Sequence, residues 1–209
     1  GFIVVVVAAS RVGHDVDVEE RASGAGGFTL IAEADVALVT DLNRPESRAD
    51  LGMPDETSAL LQGVDVYPLR LLPGEDVSCL NLYRPERPRV LGVPSDLIER
   101  GGFAFQQMVE AGEGLDNPWR LLEAELEPGV VPAFADNNSA LWVLHLGLGD
   151  DVVIQDETGA ELRLRLVGLL QRSLFQSEVL ISEENFKRLF PSRSGYSVFL
   201  ADPPLERAS

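Results

Sequence analysis

The chain has 209 residues, of which 34 are acidic and 17 basic, so its formal net charge is −17. Hydrophobic residues make up 45% and charged residues 24%, which is typical of a globular protein with a core in one domain or two small lobes. The excess of carboxylates argues against nucleic acid and anionic lipid headgroups as ligands, because both are recognised by Lys and Arg. One cysteine, Cys79, excludes an internal disulfide.

The chain begins with an apolar run, residues 2–9, that has two interpretations. The run is far shorter than the roughly 20 residues that cross a bilayer. Residues 1–9 are therefore either an N-terminal buried strand or the outer end of a truncated transmembrane helix. The last segment, residues 203–209, is predicted to be a linker. Both ends lead us to expect a segment of a longer chain.

Extended segments are predicted through the first half of the chain. Residues 15–20 alternate polar and apolar side chains, as in an edge strand, and the Gly-rich stretch 23–27 predicts a flexible loop. Polar, turn-rich residues occupy 41–55. Four short apolar runs are predicted to be strands: 28–31, 36–39, 64–67 and 90–93.

Capping signals predict short helices in the middle of the chain. Asn117 and Pro118 suit the cap and first turn of a helix over residues 117–126. A strand is predicted over 130–135, and Asn138 is predicted to cap a second short helix that ends at Leu144.

The last quarter of the chain has the clearest pattern. Residues 151–155 and 162–167, separated by a turn at 157–160, predict a β-hairpin. A strand over 179–181, a helix capped by Ser182 and ended by Pro191, and a strand over 196–200 follow. Hairpins mixed with short helices predict an α+β fold with mixed or antiparallel sheets.

A search for chemistry in the sequence finds no catalytic motif. Nucleophilic catalysis needs a base beside a Ser or Cys, and neither His14 nor His145 stands in a paired motif, so structural roles are favoured. Asp15, Asp17 and Glu19 lie on one face of the predicted edge strand. Their spacing does not match a calcium loop, which favours a solvated face.

Two glycine-containing segments and one glycosylation triplet do not change that interpretation. Gly24, Gly26 and Gly27 lack the spacing of a phosphate or dinucleotide loop, and residues 146–151 are predicted to be a turn. The triplet 137–139 is a formal glycosylation sequon of a kind that arises by chance. We predict no catalytic, cofactor-binding or metal-binding residues and no cofactor.

A family resemblance extends over roughly residues 64–200. Gly149 and Asp150 lead into a strand, a turn and a strand that ends in Val167-Gly168-Leu169, where the family has Val-x-Gly, and a further strand and helix follow in order. This pattern resembles the extracytoplasmic domain of FtsX/MacB-family ABC transporter permeases, in particular a bacterial subgroup of predicted permeases. The matching segments are 69–76, 78–83, 88–93, 100–105, 117–119, 131–136, 141–142, 148–154, 164–169 and 179–190.

The resemblance implies a location and a set of partners. Such a domain, the MacB-like periplasmic core domain, lies outside the bacterial inner membrane between two transmembrane helices of a permease half. Residues 1–9 would then end the first helix, and residues 10–209 would be the extracytoplasmic domain, with one lobe inserted into another. The expected partners are a cytoplasmic ABC ATPase, a second permease copy or half, and a substrate or extracytoplasmic protein. The domain itself is not expected to be an enzyme.

The resemblance leaves two further classes of function open. The first is a free-standing secreted binding module without catalytic activity. The second is an enzyme whose site the sequence does not reveal, for which perturbed carboxylates in a concave site would be the sign.

Overall fold

The computed structural model describes the backbone of residues 5–8 and the whole of residues 21–74 and 88–202. Within these ranges, ten strands form a mixed sheet that is accompanied by short helices, which confirms the predicted α+β fold. The expected division into two lobes stays a prediction.

The strands and helices are short. The strands are β1 Val5–Ala8, β2 Leu30–Leu38, β3 Asp65–Leu72, β4 Arg89–Val93, β5 Phe105–Met108, β6 Val130–Asp136, β7 Asp151–Gln155, β8 Glu161–Leu170, β9 Glu178–Ser182 and β10 Tyr196–Asp202. The α-helices are α1 Pro45–Asp50, α2 Asp55–Leu60, α3 Ser95–Arg100, α4 Asn137–Ser139 and α5 Glu183–Leu189. Two 3₁₀ segments, Glu110–Gly112 and Pro118–Glu123, and a π-helical turn, Ala140–Leu144, complete the described structure.

The sheet follows the order β1-β2-β10-β3-β4-β9-β6-β8-β5, with β7 beside β8. The pairs β4–β9 and β6–β8 are parallel, and the other pairs are antiparallel. Strand β6 takes one edge of the long strand β8, while β7 and then β5 take the opposite edge, end to end. Between these two strands the edge of β8 is bonded by adjoining residues, since the N–H of Val109 donates to the carbonyl of Val167 at 3.0 Å and that of Gly149 to Leu166 at 2.8 Å.

Both faces of the central strands are covered. Along β9, Val179 and Ile181 join one apolar cluster, and Leu180 joins the other. The aromatic rings of Phe103, Trp119, Phe134 and Phe175 fill the second of these clusters, with centroids of Trp119 and Phe134 5.5 Å apart. A strand covered on both faces reads as a continuous apolar run, as β6 and β9 do.

Most predicted elements of the last quarter are confirmed. The hairpin is β7 and β8, and the next three elements are β9, α5 and β10. Ser182 caps α5, because its Oγ accepts the backbone N–H of Asn185 at 3.3 Å. The Asn117 cap is also confirmed, since its side chain accepts the N–H of Trp119, although the helix is a 3₁₀ segment that ends at Glu123.

Two strand predictions in the first half need correction. The runs 28–31 and 36–39 are not separate strands, because the nine-residue β2 spans the space between them. Buried and exposed side chains do not alternate regularly in the second half of β2, where Val36 is exposed. Hydrogen-bonded pairing with β10 nevertheless keeps the strand extended as far as Leu38. Backbone pairing there outweighs the local pattern.

The Gly-rich stretch 23–27 is packed, so the prediction of a flexible loop is wrong. A Cβ at Gly24 would overlap the carbonyl oxygen of Arg172, and a Cβ at Gly26 would overlap the ring of Phe103. Gly26 also has a φ of 63°, a conformation that glycine adopts without strain. The glycines allow two segments of the core to approach this stretch closely.

Several residues singled out in the sequence lie outside the described ranges. They are His14, Asp15, Asp17, Glu19 and Cys79, together with residues 203–209. Strand β1 pairs antiparallel with β2, from Val5 opposite Ala34 to Ala8 opposite Ile31. Among the helices that the structure describes, none is both long enough and apolar enough to span a membrane.

Candidate binding surface

An exposed apolar triplet stands at the end of strand β6. Leu141, Trp142 and Val143 are 50%, 71% and 37% exposed, whereas Ala140 before them is fully buried. We call these three exposed residues the Trp142 knuckle. They lie on the π-helical turn Ala140–Leu144, and single π turns within helices are frequent at functional sites.

The knuckle is held from below by a buried carboxylate. Asp136, the last residue of β6, is 2% exposed. Its Oδ1 accepts the backbone N–H groups of Asn138 at 3.0 Å and Ser139 at 3.2 Å, and its Oδ2 accepts that of Ser173 at 2.6 Å. The cap of this helix is therefore Asp136, and the prediction that Asn138 caps it is wrong. Asn138 instead donates its own N–H within the first turn.

A second contact ties the same helix to the loop before β9. The Oγ of Ser139 accepts the backbone N–H of Ser177 at 3.0 Å. This contact and the Asp136–Ser173 bond connect both ends of the loop 173–177 to residues 136–139, which precede the knuckle. The buried ring of Phe175 anchors the middle of that loop in the core.

Backbone strain is concentrated around the knuckle. Four non-glycine residues of the described chain have positive φ, and three of them border this region: His145 at 57°, Arg172 at 49° and Ser177 at 71°. A left-handed conformation costs a non-glycine residue about 1–2 kcal/mol. Strain of this kind persists where surrounding contacts impose it, and it clusters at functional sites.

The position of the knuckle follows from the sheet. Strands β6 and β8 run parallel, and Asp136 lies opposite Leu170 at the carboxyl ends of both strands. The knuckle and the loop 173–177 leave the sheet from this shared edge. In sheets with parallel strands, loops at the carboxyl edge commonly carry binding sites.

The predictions for His145 and for the turn over residues 146–151 have different outcomes. A structural role is favoured for His145 from the sequence, yet its side chain is exposed at the end of the π turn, and no described residue hydrogen-bonds its ring. The turn predicted over 146–151 is confirmed: the Asp150 carboxylate accepts the N–H of Gly147 at 2.8 Å before β7 begins.

A titratable group lies directly after the loop, at the start of β9. Glu178 is largely buried, and its Oε2 has no hydrogen-bond partner among the described residues. Arg89 reaches its Oε1 at 3.7 Å and bonds Glu33 at 2.8 Å. Burial raises the pKa of Glu178 to about 7, and the charge of Arg89 offsets only part of that effect.

The exposed apolar side chains of the Trp142 knuckle form a candidate binding surface. Within residues 21–74 and 88–202, no group of three or more His, Cys, Asp or Glu side chains is placed to hold a metal ion. An exposed tryptophan flanked by aliphatic side chains has the composition of a binding hot spot. The sequence had placed Leu141 and Trp142 in a short helix, but a local pattern could not predict which face of it stays uncovered.

Compared with known proteins, the sequence matches no family model, and no curated protein matches it significantly.

Proposed function

We propose that this chain is the extracytoplasmic domain of an ABC transporter permease of the FtsX/MacB type, which engages a partner protein or substrate and transmits ATPase-driven motion. The observation that carries the binding role is the Trp142 knuckle, an exposed apolar triplet on a backbone anchored by Asp136. The resemblance of residues 64–200 to the permease family supplies the transporter context. ATP hydrolysis is assigned to a separate cytoplasmic subunit or domain.

A rigid mounting suits a domain that passes motion to a partner. A displacement of the sheet reaches the knuckle without loss only if the two are tightly connected. The buried carboxylate of Asp136 provides such a connection, because it bonds both the first turn of the helix and the loop 173–177. A partner bound on Trp142 would therefore follow the central strands.

The location is tested by labelling cysteines in cells that express the complete gene. In a background without native cysteines, in which Cys79→Ser removes the one thiol of residues 1–209 and any cysteine elsewhere in the gene product is also replaced, Trp142→Cys and Leu60→Cys each place a thiol at an exposed position. A membrane-impermeant maleimide should label both in intact spheroplasts, and the protein should stay in the carbonate-washed membrane fraction with an ATPase. Labelling only after permeabilisation would contradict the extracytoplasmic location.

The same experiment separates the alternative function. A free-standing secreted module would be labelled in the same way but would leave the membrane fraction and appear in the soluble extracytoplasmic fraction. That outcome would overturn the transporter assignment. The binding role of the knuckle would then have to be tested on the soluble protein.

A further inference from the structure

An open cleft lies beside strand β5, apart from the Trp142 knuckle. Its volume is about 630 Å³. It is lined by strand β5, by residues 112–115 with Pro118, and by Leu148 from the turn before β7.

The lining of this cleft is about equally polar and apolar, and it carries one charge. Its apolar side chains include Met108, Leu115 and Leu148, of which Leu115 is 42% exposed. The single charged lining residue is Glu113, which is exposed. A surface of this kind accepts an apolar side chain and favours a positive charge beside it.

The chain segment that contributes Glu113 to the cleft strengthens that charge preference. Between residues 109 and 128 the exposed charged side chains are six acids and one base: Glu110, Glu113, Asp116, Glu123, Glu125, Glu127 and Arg120. Among the ion pairs between described residues, Glu127 is the one of these acids that pairs with an arginine, bonding Arg165 at 2.9 Å. An excess of carboxylates in the segment that lines the cleft raises the rate at which a basic partner arrives.

Strand β5 adds a backbone component to the surface. It is the terminal strand of the sheet, and β8 is its only strand neighbour among the described residues. Its exposed residues Gln106 and Gln107 are uncharged, so no Lys or Glu on the strand repels an added segment. Edge strands that lack charge are open to pairing with an extended peptide.

We propose that this cleft, which we call the β5 cleft, binds an extended segment of a partner protein that has an apolar side chain flanked by Lys or Arg. The apolar side chain would lie between Met108 and Leu115, and the basic side chains would face Glu113 and its acidic neighbours. This proposal goes beyond the transporter assignment and does not depend on it.

The test uses three fluorescein-labelled peptides and anisotropy on the intact chain. The heptapeptide KKLFLKK should bind, whereas EELFLEE and KKSSSKK should each bind at least about tenfold more weakly, because each lacks one of the two components. Raising the salt concentration to about 0.15 M should weaken KKLFLKK without abolishing it. Equal binding of KKLFLKK and KKSSSKK would mean general attraction to an acidic protein, and it would overturn the proposal.

Substitutions then locate the site. Leu115→Ser should weaken KKLFLKK at least about fivefold, because it removes apolar area that the peptide covers. Glu113→Gln should weaken it about threefold, and Gln107→Lys should weaken it through repulsion. Glu46→Gln, the same charge change on exposed α1, should leave the affinity unchanged.

Other patterns of affinity loss would contradict peptide binding in the β5 cleft. Equal losses in Glu113→Gln and Glu46→Gln would show that the peptide senses only net charge. A loss in Trp142→Ala with none in Leu115→Ser would place the peptide on the knuckle, and no binding of KKLFLKK at all would also overturn the proposal. None of these outcomes affects the labelling test of the transporter assignment.

Discussion

The Oδ2 of Asp136 accepts the backbone N–H of Ser173 at 2.6 Å, across 37 positions of sequence. Because the Oδ1 of the same carboxylate caps α4, a single buried side chain joins the end of β6, the start of the helix and the loop before β9. The stability of this region and the position of the Trp142 knuckle both depend on that junction.

Replacing Asp136 with alanine should therefore destabilise the protein by about 2–4 kcal/mol, because a cap is lost and the buried N–H of Ser173 is left without an acceptor. Urea unfolding followed by circular dichroism measures the change. Asp156→Ala is the matched control, because Asp156 accepts the N–H groups of Thr158 and Ala160 in an exposed turn. Equal losses in the two variants would contradict a special role for the buried carboxylate.

Substitution of the two tryptophans of the chain should change the free energy of unfolding by very different amounts. Trp119 is fully buried and its Nε1 donates to the carbonyl of Gly102 at 2.7 Å, so Trp119→Ala should cost about 3–5 kcal/mol. Trp142→Ala should change the free energy of unfolding by less than about 0.5 kcal/mol.

Acrylamide quenching checks the same difference in exposure directly. The Trp119→Phe variant reports on Trp142 and should be quenched strongly. The Trp142→Phe variant reports on Trp119 and should be quenched weakly. Strong protection of Trp142 in the isolated chain would mean that the knuckle is covered.

Glu178 should make the protein less stable as the pH rises from about 4.5 to 7. Its folded pKa of about 7 lies above the ordinary value of 4.5, so the folded state binds the proton more tightly than the unfolded state over this window. Relative to Glu178→Gln, the native protein should therefore lose about 1–3 kcal/mol of unfolding free energy across the window. The loss should level off above pH 7. Glu184→Gln, an exposed neighbour on α5, should show no such trend in a pH series of urea melts.

Glu183 should show the opposite dependence. Burial works against its ionised form, but hydrogen bonds from Arg70 at 2.7 Å, Tyr196 at 3.0 Å and Lys187 outweigh it and lower the pKa. Its contribution is present above the unfolded pKa and is lost as the pH falls through the folded pKa.

Glu183→Gln should thus cost about 2 kcal/mol at pH 7 and progressively less in acid, where the native carboxylate is also protonated. Lys187→Met should cost no more than about 0.5 kcal/mol, because the lysine is exposed. A loss in Glu183→Gln that does not vary with pH would show that shape, and not charge, is what the network requires.

Alanine at Gly26 should cost much more than alanine at Gly52. Both glycines have positive φ, 63° and 72°, so each substitution carries a conformational cost of about 1–2 kcal/mol. At Gly52 no atom lies within 4 Å of the new Cβ, whereas at Gly26 the Cβ would overlap the ring of Phe103. Gly26→Ala should exceed Gly52→Ala by about 2 kcal/mol in urea unfolding. Equal costs would mean that the stretch 23–27 has room to move.

Local signals in the sequence were sufficient for part of this structure. The hairpin of β7 and β8 follows from alternation of apolar side chains around a turn, and the caps at Asn117 and Ser182 involve groups two or three residues away. Such features depend on neighbouring residues alone, so a sequence pattern contains the information needed to predict them. The α+β class follows from the same signals taken in order.

The tertiary structure decided the rest, because the deciding contacts join residues far apart in the chain. The bond from Ser173 ties the Asp136 carboxylate to a loop 37 positions away, and the glycines at 24 and 26 are closely packed because Arg172 and Phe103 lie against them. The acidic, globular character of the chain, with its net charge of −17, was evident from composition. Which apolar side chains remain uncovered at Trp142 and in the β5 cleft depends on which strands meet along β8, and no local pattern specifies that.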